Sequence, residues 1–230
     1  MTRLREVMNC YVRRHDGQVY GITYTDAAWS GWQPLNTPTL NITQRSPAAT
    51  VTGDDQVDVF FIDGDELKHV RWTPSTTWTE RAPILVGATQ GDPSCGSRGD
   101  GTWSCAILAG DKVRYYSGDV DDNLTVQEFD TSTTTDPSVV LRGNFVYLEL
   151  FYRIASSQEI SHKYFHQHDP MTSETLTNMG GLVDMPRCAP WGTNQMLCFS
   201  RVASSYLMYS FYTYPSGTSP TGAWTTWLPQ

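Results

Sequence analysis

His69, Trp72 and Trp78 fall within ten residues of one another. They set an imidazole that can donate and accept hydrogen bonds beside two indoles whose flat faces suit the C–H faces of a pyranose ring. The same kind of grouping recurs at Tyr24 and Trp29, with Trp32 nearby, and at Tyr209, Tyr212 and Trp224, with Trp227 nearby. These residues are the candidate ligand contacts, with His69, Trp72 and Trp78 as the best pocket. Their chemistry is stacking plus a few hydrogen bonds, without bond breaking. The competing role for any one tryptophan is packing between sheets, because buried aromatics dominate core energetics.

Two other sets of residues invite a catalytic or metal reading. His162, His166 and His168 share one face of a strand if it runs straight, and three imidazoles on one face can hold zinc. Alternate residues on a strand are about 7 Å apart, however. The segment ends in His168-Asp169-Pro170 and no carboxylate ligand is placed by spacing. Hydrogen-bonding histidines and no bound metal or other cofactor are therefore expected. Asp92, Asp136 and Asp184 each stand one or two residues before a proline in successive segments. Paired carboxylates do the acid and base work of glycoside hydrolysis, but repetition at equivalent positions predicts a turn or cap instead. No Ser-His-Asp arrangement, glycine-rich phosphate loop or zinc-finger spacing is present. The chain is expected not to be an enzyme.

The formal net charge of −8 and the lack of a Lys/Arg cluster argue against a nucleic-acid partner. Apolar runs are too short for membrane insertion, and the first residues lack the apolar stretch of a secretion signal. Cys95 with Cys105 and Cys188 with Cys198 share a ten-residue separation, which spans a strand, a turn and the facing strand. Cross-strand disulfides fit that geometry, and zinc spacing does not. Cys10 lacks a partner ten residues earlier. Sequons at Asn41 and Asn123 also fit a secreted or cell-surface glycoprotein whose signal is absent from this sequence. Reduced core cysteines in a cytosolic protein are the alternative.

What positions these residues is a repeat. Twelve tyrosines, eight tryptophans, eighteen glycines and thirteen prolines give a strand-and-turn composition. The cysteine pairs lie 93 residues apart, twice a period of about 46, a blade-length repeat. Taking Cys198 as reference, the equivalent second-strand positions are Cys10, Val59, Cys105 and Leu150. Alternating residues separated by turns such as Asp16-Gly17, Asp63-Gly64 and Gly110-Asp111 read as consecutive antiparallel hairpins. The expected fold is all-β, a five-bladed β-propeller with four antiparallel strands per blade. It forms one domain over residues 1–230, with blades at about 1–44, 45–90, 91–135, 136–183 and 184–230. The first strand of blade one falls to residues 1–5.

The second copy leads Ser46-Pro47-Ala48-Ala49-Thr50-Val51 into a strand, an Asp-Gly turn, then Leu67-x-His69-x-x-Trp72 and Trp78. This pattern resembles a blade of the fungal fucose-specific lectins. That resemblance implies a β-propeller, usually of six blades, with sugar pockets between adjacent blades. It also implies a pocket arginine on the second strand, a glutamate on the third and aromatics after it. The arginine position falls at Asn9, Asp58, Ser104, Glu149 and Leu197, and the glutamate position at Gly21, His69, Tyr115, His162 and Tyr209. Neither residue is kept in any copy. The aromatic position is Tyr24, Trp72, Phe165 and Tyr212, but Gly118 in the third copy. The sequence thus leads to a non-enzymatic carbohydrate-binding propeller without the fucose chemistry. Its sites would be weak and aromatic, its partners glycans or glycoproteins, and homo-oligomers would add avidity. A protein-interaction scaffold that has lost sugar binding is the alternative.

Overall fold

The computed structural model describes residues 8–25, 27–35, 45–53, 55–87, 91–119, 121, 123–130, 135–141, 147–154, 160–166, 172–176, 185–191, 195–201, 207–213, 223–225 and 228–229. Five small antiparallel sheets form a five-bladed β-propeller. Blade one holds β1 (Met8–Arg13), β2 (Val19–Thr25) and an outer strand in two pieces, β3 (Ala28–Trp29) and β4 (Gln33–Pro34). Blade two holds β5 (Ala48–Gly53), β6 (Gln56–Asp63), β7 (Glu66–Thr73), β8 (Thr77–Glu80) and β9 (Ile84–Leu85). Blade three holds β10 (Ser94–Gly96), β11 (Trp103–Ala109), β12 (Lys112–Gly118) and β13 (Leu124–Asp130). Blade four holds β14 (Ser138–Leu141), β15 (Tyr147–Arg153), β16 (Ile160–His166) and β17 (Thr172–Leu176). Blade five holds β18 (Arg187–Trp191), β19 (Gln195–Arg201), β20 (Leu207–Thr213), β21 (Ala223–Trp224) and β22 (Leu228–Pro229). The outer strand is in two pieces in blades one, two and five, and both pieces pair with the third strand. Residues 1–5, the expected inner strand of blade one, lie outside the described residues.

The second-strand positions Cys10, Val59, Cys105, Leu150 and Cys198 face Ile22, Val70, Tyr116, Lys163 and Ser210 on the third strands. On their other side, Val59, Cys105, Leu150 and Cys198 face Ala49, Cys95, Val139 and Cys188. The expected disulfides Cys95–Cys105 and Cys188–Cys198 therefore occupy one repeat position two blades apart, filled by Ala–Val and Val–Leu pairs in blades two and four. Cys10 is free. The hairpins between second and third strands turn on Gly17, Gly64 and Gly110, all with positive φ, which side chains with a Cβ adopt at a cost.

Blades two and three have packed neighbours on both faces, and their second strands are buried, β6 from Asp58 to Ile62 and β11 throughout. Tyr11, Val19 and Leu35 of blade one pack on Val59, Phe61, Val70 and Trp78 of blade two. Phe60, Ile62 and Leu67 on the opposite face of blade two meet Cys105, Ile107 and Tyr116 of blade three. Ala106, Val113 and Tyr115 then meet Leu148, Leu150 and Tyr152 of blade four. Burial between blades, at about 25 cal/mol per Å² of apolar surface, is what holds sheets together that could not cover their own faces.

At the axis, β5, β10, β14 and β18 lie side by side in that order. The aspartates before the prolines tie them together. Asp92 Oδ1 accepts the Ser46 N–H at 2.9 Å, one blade back. Asp136 accepts the Asp92 N–H in turn; burial pushes its carboxyl upward, that N–H opposes the rise, and the charge of Asp92 adds to it. A third tie runs from the Val139 N–H to Ser94 Oγ at 2.8 Å. The cap role read from the sequence thus links consecutive blades at Asp92 and Asp136, while Asp184 lies outside the described residues. Replacing Asp92 with alanine is expected to cost about 1 kcal/mol, one net hydrogen bond, seen as a lower urea midpoint with unchanged slope.

Candidate functional site

A cavity of about 510 Å³ opens between blades two and three. Ala82, Pro83 and Ile84 beside β9 form one wall, Leu124 and Val126 of β13 the other, and His69, Trp103 and Tyr116 also line it. Its polar end is an ion pair. Arg114 on β12 and Glu128 on β13 are direct ladder partners, and Arg114 Nε donates to Glu128 Oε1 at 2.7 Å. Arg114 Nη1 also donates to the Val86 carbonyl across the blade boundary, and Lys112 Nζ lies 3.4 Å from Glu128 Oε2. Burial pushes the Tyr116 hydroxyl upward, with Arg114 pulling the other way.

His69 is only 1% exposed and sits between Phe60 and Trp103, with ring centroids 4.9 and 5.6 Å away. Behind it, Asp58 is fully buried. Arg71 Nε donates to Asp58 Oδ1 and Oδ2 at 2.9 and 3.2 Å, Thr52 Oγ1 donates at 2.5 Å, and His69 Nε2 stands 3.4 Å from Oδ1. Burial alone would raise the Asp58 carboxyl, but His69, Arg71 and Thr52 together hold it below its ordinary value. Blade four repeats the arrangement, with Glu149 against His162 and the His162 ring stacked on Phe151 at 4.5 Å. An acid and a histidine thus stand, in blades two and four, at the two positions where the resemblance implies arginine and glutamate. Blade three has Ser104 and Tyr115 there, joined by a 2.8 Å bond from the tyrosine hydroxyl.

The sequence-predicted contacts are not brought together. Position 69 faces blade three. Trp72 lies opposite Val57 and Trp78, and Trp78 packs toward blade one with its ring 5.9 Å from Tyr11. Strand alternation separates His69 from Trp72 because their spacing is odd. Tyr24 with Trp29, Trp72 with Trp78, and Tyr212 with Trp224 are instead three copies of one cross-strand aromatic pair. Such pairs stabilise a sheet directly. Tyr24 and Trp29 lie 5.1 Å apart at a rim where Trp29 is 47% exposed, and Tyr209 packs between Phe199 and Phe211. The side chains of Tyr212, Trp224 and His166, and all of His168, lie outside the described set. Among the described residues no His, Cys, Asp and Glu group could hold a metal ion.

Blade three departs from the repeat in a way that shapes the cavity. Position 118 is glycine where the other third strands carry an aromatic, and its ladder partner is Trp103. A Cβ on Gly118 would come 2.4 Å from the Trp103 ring, so the indole lies on the glycine and the aromatic has crossed to the second strand. Arg114, Glu128, Trp103 and Tyr116 did not stand out from the sequence, although the hairpin register makes Arg114 and Glu128 partners. A second cavity, of about 330 Å³, lies near the axis against Thr50, Cys95, Arg98, Val139 and Val140. Among the described residues no carboxylate lines it.

No protein-family model and no curated protein matches the sequence. Among solved structures, the chain is similar to the Aleuria aurantia lectin, a six-bladed β-propeller with a fucose recognition mode of its own. The identity is 16% and the TM-score 0.66, over 96% of this chain and 73% of that one. It is also similar to AofleA from Arthrobotrys oligospora, at 9% identity and TM-score 0.70 over 97% and 71% of the two chains. For the BP39L lectin from Burkholderia pseudomallei the identity is 12% and the TM-score 0.68, over 94% and 66%. The likeness is one of fold.

Proposed function

We propose that this protein is a non-enzymatic, carbohydrate-binding propeller whose sugar site is the cavity between blades two and three. The observation that carries the reading is that cavity's make-up, apolar and aromatic walls around the Arg114–Glu128 pair, in a fold shared with lectins. Such a pocket holds a ring by stacking and apolar contact while the ion pair fixes hydroxyls. The solved Aleuria aurantia lectin is known with α-methyl-L-fucoside bound, which supports a glycan partner for a chain of the same fold. The polar pair here comes from the third and outer strands of blade three, not the positions of Asp58 and His69, so the sugar and its pose differ from the fucose mode. Two disulfides and an exposed Asn123 within a sequon favour a secreted glycoprotein.

A glycan array tests the reading. The folded wild-type protein is expected to bind at least one glycan above background, and Arg114→Ala to weaken it about tenfold or more, as loss of a charge-assisted hydrogen bond does. No binding by folded protein would replace the lectin reading with the scaffold one.

A further inference from the structure

We propose that the loop between β10 and β11 docks a protein that presents a bound divalent cation beside an acidic pocket. The loop carries Arg98-Gly99-Asp100. Arginine pairs bidentately with carboxylates, and aspartate is a hard oxygen ligand for Ca²⁺ or Mg²⁺. The loop shares no residue with the cavity between blades two and three, so the two sites stand or fall separately.

The repeat marks this loop as more than a connection. Six residues, 97–102, join β10 to β11, against two, five and three at the equivalent place in blades two, four and five. Two suffice to close such a hairpin, and extra length in a surface loop is where binding residues collect. Its base is fixed. The Cys95–Cys105 disulfide joins the two strands, Ser97 Oγ accepts the Gly99 N–H at 3.0 Å and donates to the Thr102 carbonyl, and the Gly101 N–H donates to the Thr52 carbonyl of blade two. Its tip is open. Gly99 and Asp100 are exposed, and a Cβ on Gly99 would meet no atom within 4 Å. Gly99 and Gly101, at φ of 80° and 87°, turn the chain on either side of Asp100 in a region that a Cβ makes costly. A tip held in this way loses little freedom on binding.

Asp100 is kept charged. Thr102 donates to its Oδ1 from the N–H at 3.0 Å and from the hydroxyl at 2.5 Å, and although burial would raise the carboxyl, these bonds hold it below its ordinary value. Neither bond uses Oδ2. Arg98 is half-buried and lines the cavity near the axis. The two charges cancel, so a uniformly acidic or basic surface gains little from the loop. Its complement is one cation and one anion at matching places, and a metal ion with an open coordination position is the cation that an anionic oxygen suits best.

The probe is the soluble ectodomain of a cation-dependent cell-adhesion receptor that takes Arg-Gly-Asp peptides, measured by surface plasmon resonance in Mn²⁺ buffer. Enzymatic deglycosylation of that ectodomain keeps the sugar cavity out of the readout. The wild-type protein is expected to bind, EDTA to abolish binding, and free Gly-Arg-Gly-Asp-Ser peptide to compete. Asp100→Glu, which keeps the charge but moves it by one methylene, should weaken binding about tenfold or more, as loss of a charge-assisted contact does, and so should Arg98→Gln. EDTA and the peptide act on the wild type and need no variant to fold. Absence of binding by folded wild type overturns the proposal, and so does binding that survives EDTA or Asp100→Glu. Either result leaves the lectin reading standing, since that rests on the glycan array.

Discussion

Asp58→Asn is expected to destabilise the protein by about 3–5 kcal/mol, the cost of stranding a buried cation. The substitution keeps the side chain's shape and removes its charge. Arg71 is 6% exposed at its side chain and Asp58 is not exposed at all, so water cannot replace the lost partner. A double replacement, Asp58→Leu with Arg71→Met, should recover most of the loss, because a buried ion pair often contributes little over apolar residues of similar size. Urea denaturation at pH 7 measures both. The sign of the pH effect follows from the direction of the shift. The folded carboxyl lies below its ordinary 3.8, so its contribution is present above that value and is lost as pH falls through the folded pKa. Below about pH 4 the wild type should lose stability more steeply than Asp58→Asn, and parallel curves would show that Asp58 does not carry the acid sensitivity.

Trp103 and Gly118 form the second large expectation. Trp103→Val should cost roughly 3 kcal/mol, since it removes most of a buried indole against Phe60 and opens a void over Gly118. Gly118→Trp alone should also destabilise, because any Cβ at 118 meets the existing indole. Combined, the two recreate the Val57–Trp72 arrangement of blade two. The double variant is therefore expected to be at least about 1 kcal/mol more stable than the sum of the singles implies, as contacting residues couple. Strict additivity in a double-mutant cycle would mean that the two positions do not exchange one aromatic. Because Trp103 lines the cavity, the double variant should also lose glycan binding while remaining folded.

Much of the fold was legible in the sequence, for reasons particular residues make clear. The ten-residue spacing of Cys95 and Cys105, repeated at Cys188 and Cys198, fixed the register of two blades, and the period of about 46 residues carried that register to Val59 and Leu150. The aspartates before the prolines read as caps, and Asp92 and Asp136 prove to be ties between blades. The site was less legible. Trp72 and Trp78 read from the sequence as sugar contacts, and in the fold they are cross-strand ladder partners, with Trp78 packed toward blade one. The odd spacing between His69 and Trp72 already held the signal that they face different neighbours. Arg114 and Glu128 lie on the third and outer strands of blade three, away from the second-strand and early third-strand positions to which the resemblance points.

By itself the sequence determined the repeat, the strand register, the facing positions of the paired cysteines and the absence of the fucose pair at its expected positions, because each depends on spacing along the hairpins. Only the tertiary structure decided which residues share a cavity. Pro83 of blade two and Val126 of blade three belong to different sheets, and what brings them together is the burial of one blade's face against the next, a contact that no periodicity within either blade encodes.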